Sequence, residues 1–501
     1  MKNQNNPDFT KMLDRDILGY YPVKLVPAVT GLLTILILTR YLVPDEYGTY
    51  SVVMATVLLI SQIFGIWLSN AVLYVYPDYR QMNDYEFKVY TMGLQGAAAI
   101  LGGAIGYAAI LLTTHNHLMG LFGALIIISQ LFQFLMMTFL QSSRIVSGQA
   151  LSVIVQNMAQ LAVLCVMIFL FKGKETAALT AVLVGYVTCI PLLILKLNVI
   201  SCKKSSEAKL PVMEIFRRLF RYGMPMCIWF FSIQFCIVGD RILLKLLGTT
   251  EGLGQYASFR DLATGCAGFF TMPLLMASHP IIMAMWKGGN DRSEIEKLIT
   301  RNLLIITVIF VPIFVAIDLC GSELIRLILG QKYLLDNATM FLVFASIFLG
   351  CLAMYVQKGL EVTGSTLRMA MLAFTAAVMS LAANAIVIPY YGVLGAAMIV
   401  VLVQIFYLAS VWLATRRTLK VQIPLSFLRS MVLWVIGVEL ACRGMSSLFE
   451  WFGVFWASTP SRLIFISAAT VTLFAMNEEI SSIFGGIVRS FKKSKQELFT
   501  S

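Results

Sequence analysis

Long apolar runs alternate with short polar connectors along this chain, and the runs are continuous rather than alternating residue by residue. The first run covers residues 17–41 and is followed by a short polar hinge and a second run, 50–74. Further runs cover 87–113, 118–139, 150–171 and 177–197, and a polar, basic connector then occupies 198–218. After it come 220–246, 261–285, 298–319, 338–356, 367–389, 393–414, 425–445 and a short final run, 463–476. An apolar helix of about 20 residues crosses a bilayer. The pattern therefore predicts an all-α polytopic membrane protein of about fourteen transmembrane helices. A transmembrane barrel would read instead as alternating segments of about ten residues.

The hinge after the first run reads Leu38-Thr39-Arg40-Tyr41-Leu42-Val43-Pro44-Asp45-Glu46-Tyr47-Gly48-Thr49-Tyr50, and its pattern returns in the second half. There it reads Asp240-Arg241, then Leu247-Gly248, then Glu251-Gly252-Leu253-Gly254-Gln255-Tyr256. A second echo joins Gln141-Ser142-Ser143-Arg144 and Ser147-Gly148 to Gln357-Lys358-Gly359-Leu360-Glu361 and Gly364-Ser365. The copies start at helix one and helix seven. An even offset puts both in the membrane in the same direction, the parallel-repeat arrangement of some transporters. The expected organisation is two pseudo-symmetric six-helix lobes, residues 1–206 and 207–420, followed by two extra helices and a tail, 421–501. Two such lobes can enclose a central cavity and open it to each side in turn.

Composition sharpens this. Hydrophobic residues make up 59% of 501 and charged residues 13%, with a mean hydropathy of +0.82, against roughly 25% charged in a soluble domain. The net charge of +12 does not point to nucleic acid, because most Lys and Arg sit in alternate loops. Lys203, Lys204, Lys209, Arg217, Arg218 and Arg221 crowd one side, and the other side holds few, such as Lys172 and Lys174. By the positive-inside rule both termini are expected in the cytoplasm, and the connector should lie against anionic headgroups. The polar N-terminal segment lacks the small-residue cleavage site of a signal peptide, so the first helix is expected to stay.

The nine cysteines are scattered without paired spacing, which indicates neither disulfide nor metal. His115 and His117 share a short turn, and His279 precedes Pro280. No metal site or cofactor is expected. Every loop is short, leaving no extramembrane domain for an active site, so an enzyme such as a glycan polymerase or ligase with a large catalytic loop is disfavoured.

The first hinge resembles the signature of polysaccharide flippases, the O-antigen and exopolysaccharide branch of the multidrug/oligosaccharidyl-lipid/polysaccharide exporter superfamily. Asp240-Arg241 with Gly254-Gln255-Tyr256 is similar to the family's helix-seven counterpart. Asn384 with Ile388-Pro389-Tyr390-Tyr391-Gly392-Val393-Leu394-Gly395-Ala396-Ala397 is similar to its turn between helices eleven and twelve, and Met476-Asn477-Glu478-Glu479 also fits. The resemblance implies a V-shaped carrier in the bacterial inner membrane. It would turn undecaprenyl-pyrophosphate-linked oligosaccharide from the cytoplasmic to the outer leaflet for capsule, exopolysaccharide or O-antigen synthesis. Such a carrier would draw on a proton or sodium gradient or on the membrane potential, with no nucleotide-binding motif present, and could work beside glycan polymerase and export proteins. A cation-coupled drug antiporter would want a midspan carboxylate in helices one to six, and none is there. A lipid II flippase fits the two extra helices equally well.

Charge within a span points to function. Lys24, between Pro22 and Pro27 on helix one, is a candidate cation for the pyrophosphate, or snorkels to the headgroups; the two prolines would loosen that helix. Arg260 is the second candidate for the cavity, unless it neutralises neighbouring Asp261. Arg40 and Arg241 are read as matching positions of the repeat, pairing with Asp45, Glu46, Asp240 or Glu251 to brace the outer gate. Gly48 and Gly254 mark the same hinges. His279 could carry a coupling proton, since histidine titrates near neutral pH. Polar span residues such as Gln62, Asn70, Gln95, Gln130, Gln133, Gln156 and Asn157 should bond between helices or meet sugar hydroxyls.

Overall fold

In a computed structural model the protein is described over residues 25–79, 84–143, 145–171, 173–197, 212–288, 292–420, 424–452, 462 and 464–470. Lys24 and Pro22, most of the basic connector and the Met476-Asn477-Glu478-Glu479 stretch lie outside these residues. Every regular element among them is helical.

The helices are α1 (Leu25–Tyr41) and α2 (Pro44–Tyr79), then α3 (Asp84–Thr114), α4 (His117–Ser142), α5 (Val146–Phe169) and α6 (Glu175–Lys196). They continue as α7 (Val212–Leu247), α8 (Thr250–Lys287), α9 (Arg292–Ile328) and α10 (Asn337–Val356), followed by a one-turn helix, Lys358–Val362. The stretch Thr366–Thr415 is two helices, α11 and α12, meeting at Gly392, whose φ of 53° and ψ of −128° are open to glycine and to few other residues. Pro389 stands just before that break. α13 is Leu425–Phe452, and residues 464–470 are helical within the last expected span.

Hydropathy located the helices but understated their ends. α7 begins at Val212 rather than at 220, α8 at Thr250 rather than at 261, and α9 runs Arg292–Ile328 rather than 298–319. Polar residues in the interfacial region do not break a helix, because its backbone hydrogen bonds are internal. Local chemistry sets the ends. Asn116 caps α4, accepting from the Leu118 and Met119 N–H groups at 2.9 and 3.4 Å. Asp336 caps α10, accepting from Thr339 N–H at 2.8 Å. Pro44 opens α2 and the Glu46 carboxylate accepts the Val43 N–H at 3.2 Å, satisfying a donor that a helix start leaves orphaned.

The chain forms two compact units. One takes the described residues to Phe269 together with Thr366–Ile399; the other takes Phe270–Ser365 and the described residues from Val400 onward. In the first, Val53, Val57, Ile126, Ile127 and Leu131 form one core cluster, and Leu68, Tyr76, Phe87, Phe139 and Leu193 another. In the second, Phe314 packs against Phe341 and Phe344 of α10, tilted to the first and edge-on to the second, with ring centres 5.0 and 4.9 Å away. Large apolar side chains such as Ile100, Leu112 and Leu170 remain exposed, the surface a lipid-facing helix presents.

The closest approach in the first unit is between the starts of α2 and α8. A Cβ on Gly48 would lie 2.6 Å from the Thr250 carbonyl oxygen, and one on Gly254 would fall on the Pro44 carbonyl. The contact is reciprocal. Gly48 stands four residues after Pro44, Gly254 four after Thr250, and each meets the first residue of the other helix. Gly48 and Gly254 are thus where α2 and α8 touch, backbone to backbone.

Gly254→Ala is expected to lower the melting temperature of the purified protein clearly, since forcing atoms into a packed contact costs about 1–3 kcal/mol and the obstacle here is backbone. Gly268→Ala, on the same helix with nothing within 4 Å of its Cβ, should leave melting unchanged or raise it slightly. Equal melting of both variants would contradict the close crossing.

Candidate functional site

The crossing brings polar side chains together where three helices meet. Pro44, Tyr47, Gly48 and Ser51 share one buried face of α2. α8 carries Tyr256, Arg260 and Asp261 opposite, and α7 carries the buried Asp240 and Arg241.

Two ion pairs join α7 to α8. Arg241 donates from Nη2 to Asp261 Oδ1 at 2.5 Å. Arg260 donates from Nη1 to Asp240 Oδ2. Tyr256 Oη donates to Asp240 Oδ2 at 2.5 Å, and Arg260 Nη1 lies 2.6 Å from the same hydroxyl. The Arg241 backbone N–H donates to Asp240 Oδ1 at 2.9 Å. α2 adds two neutral hydroxyls: Tyr47 donates to Asp261 Oδ2 at 2.9 Å, and Ser51 accepts from Arg241 Nη1 at 2.9 Å. Asp240 and Arg260 are 2% and 4% exposed. Two carboxylates and two guanidiniums cancel, which is the condition under which buried charge is tolerated.

This arrangement corrects several sequence expectations. Arg241 pairs with Asp261, not with Asp45, Glu46 or Glu251. Arg260 pairs with Asp240 rather than with its neighbour Asp261. Both misassignments follow from beginning α8 at Asp261, which left Tyr256 and Arg260 in a loop; in a helix from Thr250 they stand one turn apart on one face. Arg40 and Arg241 are not matching positions either. Arg40 is exposed one residue before the end of α1, whereas Arg241 is buried well inside α7. Glu46 takes Lys174, at 2.9 Å, and that contact holds the Lys174 ammonium above the usual lysine range. Pro27 lies exposed on α1. Tyr47, Ser51 and Tyr256 were not singled out from the sequence. The available signal was the opposed dipeptides Asp240-Arg241 and Arg260-Asp261 in apolar surroundings, with Tyr256 one turn before Arg260.

A second cluster lies in the other unit. Lys358, whose side chain is 5% exposed, donates to Glu361 Oε2 at 2.6 Å and lies 3.0 Å from His279 Nδ1. His279 Nδ1 is also 3.4 Å from Glu361. Gln357 donates to Glu361 Oε1 at 2.9 Å and accepts from Tyr407 at 3.0 Å, so one chain of contacts links α8, the one-turn helix and α12. Among α1–α6, Lys88 pairs with Asp84 on α3 at 2.7 Å and Tyr76 donates to the same carboxylate at 2.5 Å, while several other contacts are neutral. Ser61 donates to Gln130, Gln130 to Tyr186, and Gln133 to Gln156, at 2.7, 3.0 and 2.9 Å. Thr30 donates to Asn157 at 2.7 Å, while Asn70 bonds within its own helix to Ile66. Among the described residues no group of His, Cys, Asp and Glu is placed to hold a metal.

Removing one partner of a buried pair strands the other charge and costs about 3–5 kcal/mol, while replacing both by apolar groups is often neutral. Asp240→Ala should therefore destabilise the protein strongly, and adding Arg260→Met should recover most of the loss in thermal melting. A double variant that melts as low as the sum of the single losses would show that the two residues do not act as a pair.

A family model described as polysaccharide biosynthesis protein matches residues 15–286. No curated protein matches the chain. Among solved structures, a lipid II flippase MurJ in an inward closed conformation shares the fold with a TM-score of 0.70 at 12% identity, covering 94% of this chain and 99% of that one. The inward-facing conformation of a multidrug resistance MATE family transporter of the MOP superfamily gives 0.57 at 13% identity, with 78% and 94% covered. A Vibrio cholerae MATE transporter, VcmN in the bent form, gives 0.51 at 13% identity, with 84% and 98% covered. At such identities the likeness establishes the fold, a multi-pass helical membrane fold of the MurJ and MATE kind. The family match spans more than half the chain, and by it the chain belongs to the polysaccharide biosynthesis protein family.

Proposed function

We propose that the protein turns undecaprenyl-pyrophosphate-linked oligosaccharide from the cytoplasmic to the outer leaflet of the bacterial inner membrane by alternating access. The observation that carries the reading is the close α2–α8 crossing at Gly48 and Gly254, beside the buried ion pairs of α7 and α8, within a polysaccharide-biosynthesis family chain. In this reading the crossing is the closed outer gate, both termini are cytoplasmic, and the lobes are residues 1–206 and 207–420. Lys24 supplies a cavity cation for the pyrophosphate. Arg260, held by Asp240 and Tyr256, serves the gate rather than the substrate.

The partition of interactions suits a gate. The charge pairs join α7 to α8 and stay intact if α2 withdraws. What opening breaks is the hydrogen bonding from Tyr47 and Ser51 of α2, each bond to a charged group worth about 1.5–3 kcal/mol. Water admitted at the opened gate offsets much of that. The cost is small enough to be met on each cycle, and large enough to hold the gate shut between cycles.

For energy coupling we favour protons over sodium. Neutral His279 accepts from Lys358, whereas the protonated ring can only donate, and Glu361 is beside it.

Leaflet-resolved flipping in proteoliposomes with a fluorescent polyprenyl-pyrophosphate oligosaccharide tests the reading. Wild type should flip it, and Lys24→Ala should lose at least about tenfold, one factor of ten being about 1.4 kcal/mol of lost phosphate contact. Lipid II serves as the competing substrate, given the likeness to MurJ. Preference for lipid II would move the assignment to that flippase, and failure with both, beside export of organic cations, would move it to a drug antiporter. With a pH gradient imposed, wild-type flipping should vary with pH and His279→Gln should flatten that dependence. An unchanged profile would exclude His279 as the proton acceptor.

A further inference from the structure

The second unit carries an apolar groove of about 340 Å³ between α9, α10 and α12, lined by Leu303, Leu352, Val356, Ile405, Leu408 and Trp412 among others. No polar side chain lines it. On α12 it runs from Ile405 to Trp412, about two helical turns or roughly 10 Å. That is too small for a helix, whose diameter with side chains is about 10 Å over many turns, and it suits part of a single hydrocarbon chain.

One end of the groove is basic. Trp412 is 45% exposed, and the Arg416 guanidinium lies 5.8 Å from its ring centre. Arg417 and Lys420 follow, exposed, in the turn after α12. Arg301, also exposed, stands on α9 two residues before Leu303. The start of α9 carries Glu294 and Glu296, the latter accepting the Lys420 backbone N–H at 2.6 Å, against Arg292, Lys297 and Arg301 on the same stretch and Arg416, Arg417 and Lys420 beside it, so positive charge is in excess. α9 contributes its beginning, and α10 and α12 their ends, so the basic mouth lies at one membrane interface.

We propose that this groove binds an anionic phospholipid, with one acyl chain along Leu352, Val356, Ile405 and Leu408 and the headgroup phosphate at Arg416 and Arg417. The occupant follows from the pairing of features. An apolar slot alone would take any lipid chain, but a slot ending in a tryptophan stacked under an arginine, beside further basic residues, selects one with a negative headgroup. Arginine suits phosphate because its planar fork can donate two parallel hydrogen bonds. Basic residues near a membrane surface draw anionic lipid by about 1 kcal/mol each, or about fivefold per residue. Phosphatidylglycerol or cardiolipin would occupy the groove in preference to a zwitterionic lipid.

The test uses the full chain in phosphatidylcholine vesicles carrying either dibrominated phosphatidylglycerol or dibrominated phosphatidylcholine. Bromines quench nearby tryptophan, and subtracting the emission of Trp412→Phe isolates Trp412 from the rest of the 7 tryptophans. Brominated phosphatidylglycerol should quench Trp412 at several-fold lower mole fraction than brominated phosphatidylcholine. Arg416→Gln with Arg417→Gln should abolish the difference while leaving quenching by phosphatidylcholine unchanged. Equal quenching by the two lipids in wild type would reduce the groove to ordinary bilayer contact and overturn the proposal. So would an excess that survives the double substitution, or displacement of brominated phosphatidylglycerol by an equal mole fraction of polyprenyl phosphate. Protection of Trp412 from both lipids would assign the face to a second copy of the chain. None of these readouts depends on transport.

Discussion

Two backbones meet at Gly48 and Gly254, and the polar chemistry of the first unit follows from how close they come. With a side chain at either position α2 and α8 would stand further apart, and Tyr47 and Ser51 could no longer reach Asp261 and Arg241. Those charges sit in a membrane-embedded, weakly polar setting, where each must be matched locally. The glycines therefore determine which partners the charges can have. The reciprocal geometry, each glycine against the first residue of the opposite helix, is what a duplicated hairpin produces when its copies face each other across a local two-fold.

The charges themselves are not shared symmetrically between the copies. All four belong to α7 and α8, and α2 answers them with hydroxyls alone. A pair divided between α2 and α8 would have to be pulled apart in a low-dielectric region whenever the two helices separated, at a cost of several kcal/mol per ion. Keeping both members of each pair on one side confines that cost to folding. The contact is thus reciprocal in backbone and one-sided in charge, which is the combination that makes it close-fitting and still reversible.

Much of this was legible before any coordinates. The helical membrane fold could be read from hydropathy, because membrane helices must satisfy their backbones internally and so announce themselves. The partners of Arg241 and Arg260 could not. Hydropathy marks the part of a helix in hydrocarbon, and Thr250–Arg260 is polar enough to read as loop although it is the first three turns of α8. Once it is helical, Tyr256 and Arg260 fall on one face, and each arginine meets the aspartate twenty residues away in sequence. The Lys358, Glu361 and His279 cluster escaped for the opposite reason. His279 comes from α8 and Lys358 and Glu361 from the one-turn helix, and in the sequence those two stand out only as part of the repeat's second echo.

α2 has a further feature that bears on how it could move. Between its clamped start and its end at Tyr79 it contains a π-helical turn, Gln62–Ile66. Wider turns of this kind interrupt the regular hydrogen-bond ladder and recur at functional positions. The Cys227 thiol of α7 lies 3.8 Å from the Gln62 and Ile63 carbonyl oxygens, a weak partner rather than a locking one. Beside the turn, the amide of Gln95 is wholly buried with neither polar atom partnered by the protein. A ladder that is already loosened there costs less to bend than a regular one. Displacement of the clamped end can then be absorbed at residues 62–66, while the remainder of α2 keeps its packing on Leu68, Val72 and Tyr76. Stiffness at the crossing and compliance four turns later are properties of one helix, and an alternating carrier built on this fold needs both.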